Sequence, residues 1–204
     1  FALSYEGSFM DQLMIQGGTR LSGELRASGA KNSAVTMLAA SLLANEPVTL
    51  SNVPHLRDIT TLIELLGSLG VEVVVDEKMS IEIHANTINS FRAPYELVKT
   101  MRASIYVLGP LLAYGGEARV SLPGGCAWGP RPVNLHLGGL ERLGAKVQLE
   151  AGFIHTTAPD GGLQGGSFRF EPSSVGATCN VLMAATLAAG RTESQLPGRE
   201  EIVG

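Results

Sequence analysis

The 204-residue sequence is poor in charge, aromatic rings and cysteine. Charged residues make up 17% and aromatic residues 5%, with a single Trp. Against 19 Asp and Glu stand only 15 Lys and Arg, leaving a formal net charge of -4. The basic excess of a nucleic-acid surface is missing, so nucleic acid is not expected as a partner. A small anionic molecule needs only a few local cations and stays open. Two cysteines, Cys126 and Cys179, build no disulfide framework and suit a reducing compartment, so a cytoplasmic location is expected. No run reaches the ~20 apolar residues that span a bilayer. The longest, Val175 to Ala189, is interrupted by Thr178, Asn180 and Thr186, and no membrane partner is expected. Phe1 to Met10 lacks a basic n-region and is no secretory signal. Residues 1–9 are read as a tag or leader remnant, with Met10 as the natural start. The P-loop, HExxH, CxxC and GxSxG patterns are absent. His55, His84 and His155 have no partners at metal spacing. No metal and no cofactor are expected.

What the chain does have is apolar residues, at 45%, and glycine, with 25 copies. That is too apolar for a disordered chain. It also repeats itself. Ala34 to Ala44 reads as an apolar helix, stopped by Asn45-Glu46-Pro47, and Val48 to Leu50 as a strand. Ile59 to Leu69 carries Leu62, Ile63, Leu65, Leu66 and Leu69 on one helical face and stops at Gly70. Strands follow at Val71 to Val75 and Ser80 to His84. The same order returns as a helix at Ser104 to Ala113, a strand at Ala118 to Leu122, and a helix from Pro132 to Leu143. Strands at Lys146 to Leu149 and Phe153 to Thr157 close that second copy. The Leu-Gly stops at Leu69 and Leu143 lie 74 residues apart. A third copy begins with a helix to Ala189, stopped by Gly190. Further strands precede the first and third units, at Gly23 to Ser28 and Gly166 to Phe170. A period of this size signals one supersecondary unit used several times. Helices made mostly of Ala and Leu must be buried, so the sheets are expected outside and the helices inside. The third copy lacks its second helix and hairpin, as expected of a piece of a longer protein.

Three segments carry chemistry. In Ser28-Gly29-Ala30-Lys31-Asn32-Ser33 a strand ends, glycine turns the chain and a helix begins. Its open N–H groups and Lys31 suit a phosphate or carboxylate. An ordinary capped helix start with an exposed Lys is the competing reading. In Lys99-Thr100-Met101-Arg102-Ala103-Ser104, Arg102 occupies the same corner of the second unit. It either grips an oxyanion through two bonds or is a solvated Arg or part of a structural salt bridge. In Pro123-Gly124-Gly125-Cys126-Ala127-Trp128-Gly129-Pro130-Arg131-Pro132, a thiol sits among glycines, near Arg131 and a helix N-terminus. Both favour the thiolate. The alternative is a packed cysteine. Pro132 opens a helix near its favoured N1 position, placing Arg131 where a diphosphate could lie. Cys179, inside an apolar helix, reads as a core residue. His136, on the helix after the cysteine loop, either faces the site or is structural.

Ser28-Gly29-Ala30-Lys31-Asn32, Val98-Lys99-Thr100-Met101-Arg102-Ala103-Ser104, and Leu122-Pro123-Gly124-Gly125-Cys126 with Gly129-Pro130-Arg131-Pro132-Val133 together resemble the UDP-N-acetylglucosamine 1-carboxyvinyltransferases of the enolpyruvyl transferase family. The resemblance runs from about Met10 to Gly204 and covers only about the first half of the family's length. It implies an α/β fold, an inside-out α/β barrel of repeated units with buried helices and outer sheets, here with its third unit truncated. Residues 10–21 would form a strand of a missing domain and residues 22–204 the catalytic-loop domain. The implied reaction transfers the enolpyruvyl group of phosphoenolpyruvate to the 3-hydroxyl of UDP-N-acetylglucosamine, the first committed step of peptidoglycan synthesis. By resemblance Lys31 and Asn32 would hold phosphoenolpyruvate, and Cys126 would be proton donor or covalent nucleophile. Arg102, Arg131, Pro132, Val133, Asn134, Leu135, Pro172, Ser173, Ser174 and Val175 would bind the sugar nucleotide. Two of these depart from the family: Asn134 stands where Asp is usual and Pro172 where Lys is usual. The family's general-base Asp and a further Arg belong to the missing C-terminal half, which is therefore an expected partner. The alternative is a non-catalytic remnant that binds a sugar nucleotide or pairs with another protein.

Overall fold

A computed structural model describes residues 14–99, 101–122 and 133–195, with Arg102 described by its backbone alone. In the first unit, helix α1 (Lys31–Ala40) runs into one 3-10 turn and is followed by strand β1 (Val48–Leu50). Helix α2 (Arg57–Ser68) leads into the hairpin β2 (Glu72–Val75) and β3 (Ile81–His84). The second unit adds strand β4 (Arg92–Ala93) and the short helix α3 (Tyr95–Val98). A 3-10 helix over Arg102–Val107 then passes into α4 (Leu108–Gly115). Strand β5 (Glu117–Ser121), helix α5 (Asn134–Arg142) and the hairpin β6 (Lys146–Glu150) and β7 (Phe153–Thr157) complete it. The third unit consists of β8 (Ser167–Arg169), α6 (Val175–Ala185) and β9 (Glu193–Gln195).

The repeat is visible in hydrogen bonds as well as in order. After α2, Gly70 takes φ 90° and the Val71 amide reaches back to the Leu66 carbonyl. After α5, Gly144 takes φ 89° and the Ala145 amide reaches back to the Leu140 carbonyl. Both are glycine-stopped helix ends whose left-handed residue costs glycine nothing. The sheets correspond too. The first is ordered β1-β3-β2 and the second β4-β5-β7-β6, so β1 matches β5 and each hairpin matches the other. In the third unit β8 pairs with β9 in parallel, as β4 does with β5.

The helices lie inside. On α2, Ile59, Leu62, Leu65 and Leu66 are fully buried, each worth about 1.5–3 kcal/mol against exposure. Leu108, Leu111 and Leu112 of α4 are buried as completely and belong to the same core as Ala177, Val181 and Ala184 of α6. Strand β3 alternates buried Ile81 and Ile83 with exposed Glu82, so its sheet turns one face to the core and the other to solvent. This is the expected α/β arrangement of buried helices and outer sheets. Among the described residues the three sheets remain separate and close no barrel.

Three expected elements differ. The helix expected over Ser104 to Ala113 is 3-10 up to Val107 and α from Leu108. Pro110 has no N–H for the Tyr106 carbonyl, so the α-helix restarts where proline falls in its first turn. The helix expected to reach Ala189 ends at Ala185. The Ala189 amide donates to the Leu163 carbonyl, and its own carbonyl accepts from Gly165, so inter-segment pairing unwinds the last turn. The strand expected at Gly23 to Ser28 does not form. Residues 14–30 have no regular structure, and Leu21 and Leu25 stand 82% and 95% exposed. A strand needs a neighbour's ladder, and the three-residue β1 pairs only with β3 among the described residues.

Candidate functional site

Lys31 is the first residue of α1, and Ala30 before it supplies no side-chain cap. The chain reaches that corner through Gly29, where a Cβ would lie 2.1 Å from the Asn52 carbonyl oxygen. Only glycine lets this turn pack against the loop before α2. The packing brings Lys31 Nζ to 2.9 Å from Asp58 Oδ2 in the first turn of α2, with both side chains partly exposed. Lys31 is therefore ion-paired. Next to it Asn32 is exposed, and its carbonyl accepts from the Thr36 hydroxyl at 3.0 Å.

The corresponding corner of the second unit is the start of the 3-10 helix. Arg102 is its first residue, matching Lys31 in α1, and the 3-10 helix packs against α1. Lys99, one turn earlier, pairs with Glu96 and lies 5.3 Å from the Tyr95 ring centroid. The hydrogen bond to Glu96 raises its pKa above the ordinary 10.5, so Lys99 remains charged at neutral pH. Cys126, Arg131 and Pro132 lie outside the described residues, as does the whole of 123–132.

After that segment, Val133 is the N-cap of α5, and Asn134 and Leu135 are its first two residues. Pro172 and Ser173 are exposed in the turn before α6. Ser174 caps α6, its hydroxyl accepting from the Ala177 amide at 3.2 Å, and Val175 is the first helical residue. The two helix starts meet. A Cβ on Gly176 would lie 3.2 Å from the Tyr106 hydroxyl and 3.4 Å from His136 Nε2. The first turns of α5 and α6 thus face one another beside Tyr106. This brings together two of the segments assigned to the nucleotide, Val133 to Leu135 and Ser174 to Val175. Two helix N-termini turned toward one point favour an anion through their dipoles.

Asn134 and Leu135 also line an open pocket of about 430 Å³ between α5 and the β8–β9 sheet. Arg142 and Arg169 stand at its wall, with Phe168 and Phe170 beneath. Arg169 is paired with Glu171 at 2.5 Å. Sequence reasoning passed over this pocket, because Arg142 and Arg169 lie in unremarkable segments and meet only through the packing of α5 on β8. It also passed over Asn180, whose buried side-chain oxygen accepts from the Gly109 backbone amide at 2.7 Å; its signal was a polar residue interrupting an apolar helix. Cys179 is buried at 3% exposure, in agreement with its reading as a core residue. Among the described residues no group of three His, Cys, Asp or Glu is placed to hold a metal ion, and no helix is long and apolar enough to cross a membrane.

The sequence model of a known family, described as EPSP synthase (3-phosphoshikimate 1-carboxyvinyltransferase), matches residues 15–200. Among solved structures, the enolpyruvyl transferase NikO from Streptomyces tendae superimposes with a TM-score of 0.74 at 27% identity. That match covers 89% of this chain and 42% of NikO. An EPSP synthase from Acinetobacter baumannii superimposes with a TM-score of 0.68 at 16% identity, covering 86% of this chain and 40% of the other. The latter likeness concerns the fold. This chain spans about two-fifths of the length of the solved structures it matches.

Proposed function

The chain belongs to the EPSP synthase family, and we propose that it supplies the catalytic-loop part of an enolpyruvyl transferase whose acceptor is the 3-hydroxyl of UDP-N-acetylglucosamine. Its role would be the first committed step of peptidoglycan synthesis, in the cytoplasm. The observation that carries this reading is the meeting of the α5 and α6 first turns, with α5 beginning at Asn134, shortly after the Gly-Gly-Cys sequence of residues 124–126. In a transferase for a phosphorylated acceptor these two N-termini would receive its anionic part. The Arg131-Pro132-Val133 start, beside Asn134 and Leu135, specifies a nucleotide here.

In this reading residues 22–204 form one domain of repeated units, and residues 10–21 belong with the C-terminal half. Phosphoenolpyruvate lies against Lys31, Asn32 and the α1 N-terminus, with Arg102 on the same cleft. Arg131, Pro132, Val133, Asn134 and Leu135 hold the uridine nucleotide, together with Pro172, Ser173, Ser174 and Val175. The sugar 3-hydroxyl oxygen bonds to C2 of phosphoenolpyruvate while a proton adds to C3, with Cys126 as donor. The hydroxyl proton goes to a base of the C-terminal half. The phosphate–oxygen group then leaves C2 as C3 gives up a proton, which restores the double bond. Positioned acid and base groups of this kind contribute about 10²–10⁴-fold each.

Calorimetric titration with UDP-N-acetylglucosamine tests the acceptor. Saturable binding that is lost in Arg131→Ala supports it. Binding of shikimate 3-phosphate with none of the sugar nucleotide overturns it.

A further inference from the structure

The buried amide of Asn180 is held on three sides. Its Oδ1 accepts from the Gly109 backbone amide at 2.7 Å. Its Nδ2 donates to the Ile105 carbonyl at 3.1 Å and lies 3.1 Å from His136 Nδ1. Asn180 is fully buried, and α4 approaches so closely that a Cβ on Gly109 would sit 2.3 Å from the Asn180 carbonyl oxygen. Two backbone groups decide which way the amide points. A backbone N–H can only donate and a backbone C=O can only accept, so oxygen faces Gly109 and nitrogen faces Ile105. The second Nδ2 hydrogen is then aimed at His136 Nδ1, which must accept it.

We propose that Asn180 is a positioning residue that locks His136 as the neutral tautomer with its proton on Nε2. A proton on Nδ1 would set two donors head to head in a buried site, leaving one unsatisfied. The locked ring presents its Nε2 edge at the first turn of α6, 3.4 Å from where a Gly176 Cβ would be, with the Tyr106 ring centroid 6.5 Å from its own. The His136 N–H is thereby a donor turned toward the α6 start. Its use toward the anionic nucleotide rests on the function proposed above; the tautomer lock stands without it. The four histidines make the assignment tractable.

Long-range ¹⁵N–¹H correlation spectra of the chain at neutral pH test the lock, with His136 identified by the signal lost in His136→Gln. The expected result is an unprotonated Nδ1 and a protonated Nε2. A protonated Nδ1, or averaging between tautomers, overturns the proposal, and this reading of the unsubstituted chain needs no variant to fold. In Asn180→Asp a carboxylate oxygen replaces the donor, and the proton should move to Nδ1. An unchanged tautomer in a folded Asn180→Asp chain removes Asn180 from the role. Added UDP-N-acetylglucosamine should shift His136 Nε2 while Nδ1 keeps its signature. Binding that leaves Nε2 unmoved overturns the donor role. A chain with the expected tautomer and no affinity for the sugar nucleotide contradicts the proposed function and leaves the lock in place.

Discussion

Lys31 Nζ and Asp58 Oδ2, 2.9 Å apart, tie the first turn of α1 to the first turn of α2. The pair stands where the sequence suggests an open cation for an anionic ligand. Both side chains are partly exposed, so the pair is worth about 0–1 kcal/mol. An incoming phosphate or carboxylate therefore competes with Asp58 at small cost. In Asp58→Asn the competitor is gone and α2 loses a first-turn acid. Denaturant unfolding should show a loss of no more than about 1 kcal/mol. Phosphoenolpyruvate affinity should rise by up to about fivefold, the equivalent of such a pair. A fall in affinity would place Asp58 among the binding groups.

The core makes a sharper demand. Leu66 of α2 is fully buried, and Leu66→Ala should cost about 2–5 kcal/mol in urea unfolding. Gly109→Ala should cost about 1–3 kcal/mol for a different reason. Its new methyl would meet the Asn180 backbone oxygen at 2.3 Å, so α4 and α6 must separate. A Gly109→Ala chain as stable as the parent would show that the two helices are not so tightly joined.

Much of this fold was legible in the sequence, because the helices are apolar and their stops are explicit. The Leu69-Gly70 and Leu143-Gly144 pairs marked two equivalent helix ends, and both carry the same backward bonds in the structure. What escaped was set by tertiary pairing. The end of α6 depends on Ala189 bonding to Leu163 and Gly165, and nothing local in the sequence states that. The Gly23 to Ser28 strand depended on a partner that β1 does not provide among the described residues. At the site, the Lys31 and Arg102 corners were readable as matching helix starts. The pairing of Lys31 with Asp58 was not, because it rests on the close approach that Gly29 allows. Asn180 showed itself only as an interruption of an apolar run. Its three partners come from α4, α5 and the 3-10 helix, far away in sequence.

The two thiols should differ in chemistry. Cys179 is 3% exposed inside α6 and should resist alkylation until the chain unfolds. Cys126, among glycines and near Arg131, should react first with iodoacetamide, and with an epoxide in the presence of UDP-N-acetylglucosamine. Peptide mass spectrometry after brief labelling reads the ratio. Equal labelling, or labelling of Cys179 alone in the folded chain, contradicts the assignment of Cys126.

Phosphate release from phosphoenolpyruvate tests the central claim most directly. It is measured with UDP-N-acetylglucosamine or shikimate 3-phosphate as acceptor, using residues 1–204 alone and then joined to a C-terminal half. The account predicts no turnover by residues 1–204, because the proposed reaction takes its base and the second wall of its cleft from the C-terminal half. It predicts turnover with the sugar nucleotide once the halves are joined, and loss of that turnover in Cys126→Ala. Release that requires shikimate 3-phosphate, or turnover by residues 1–204 alone, would contradict it.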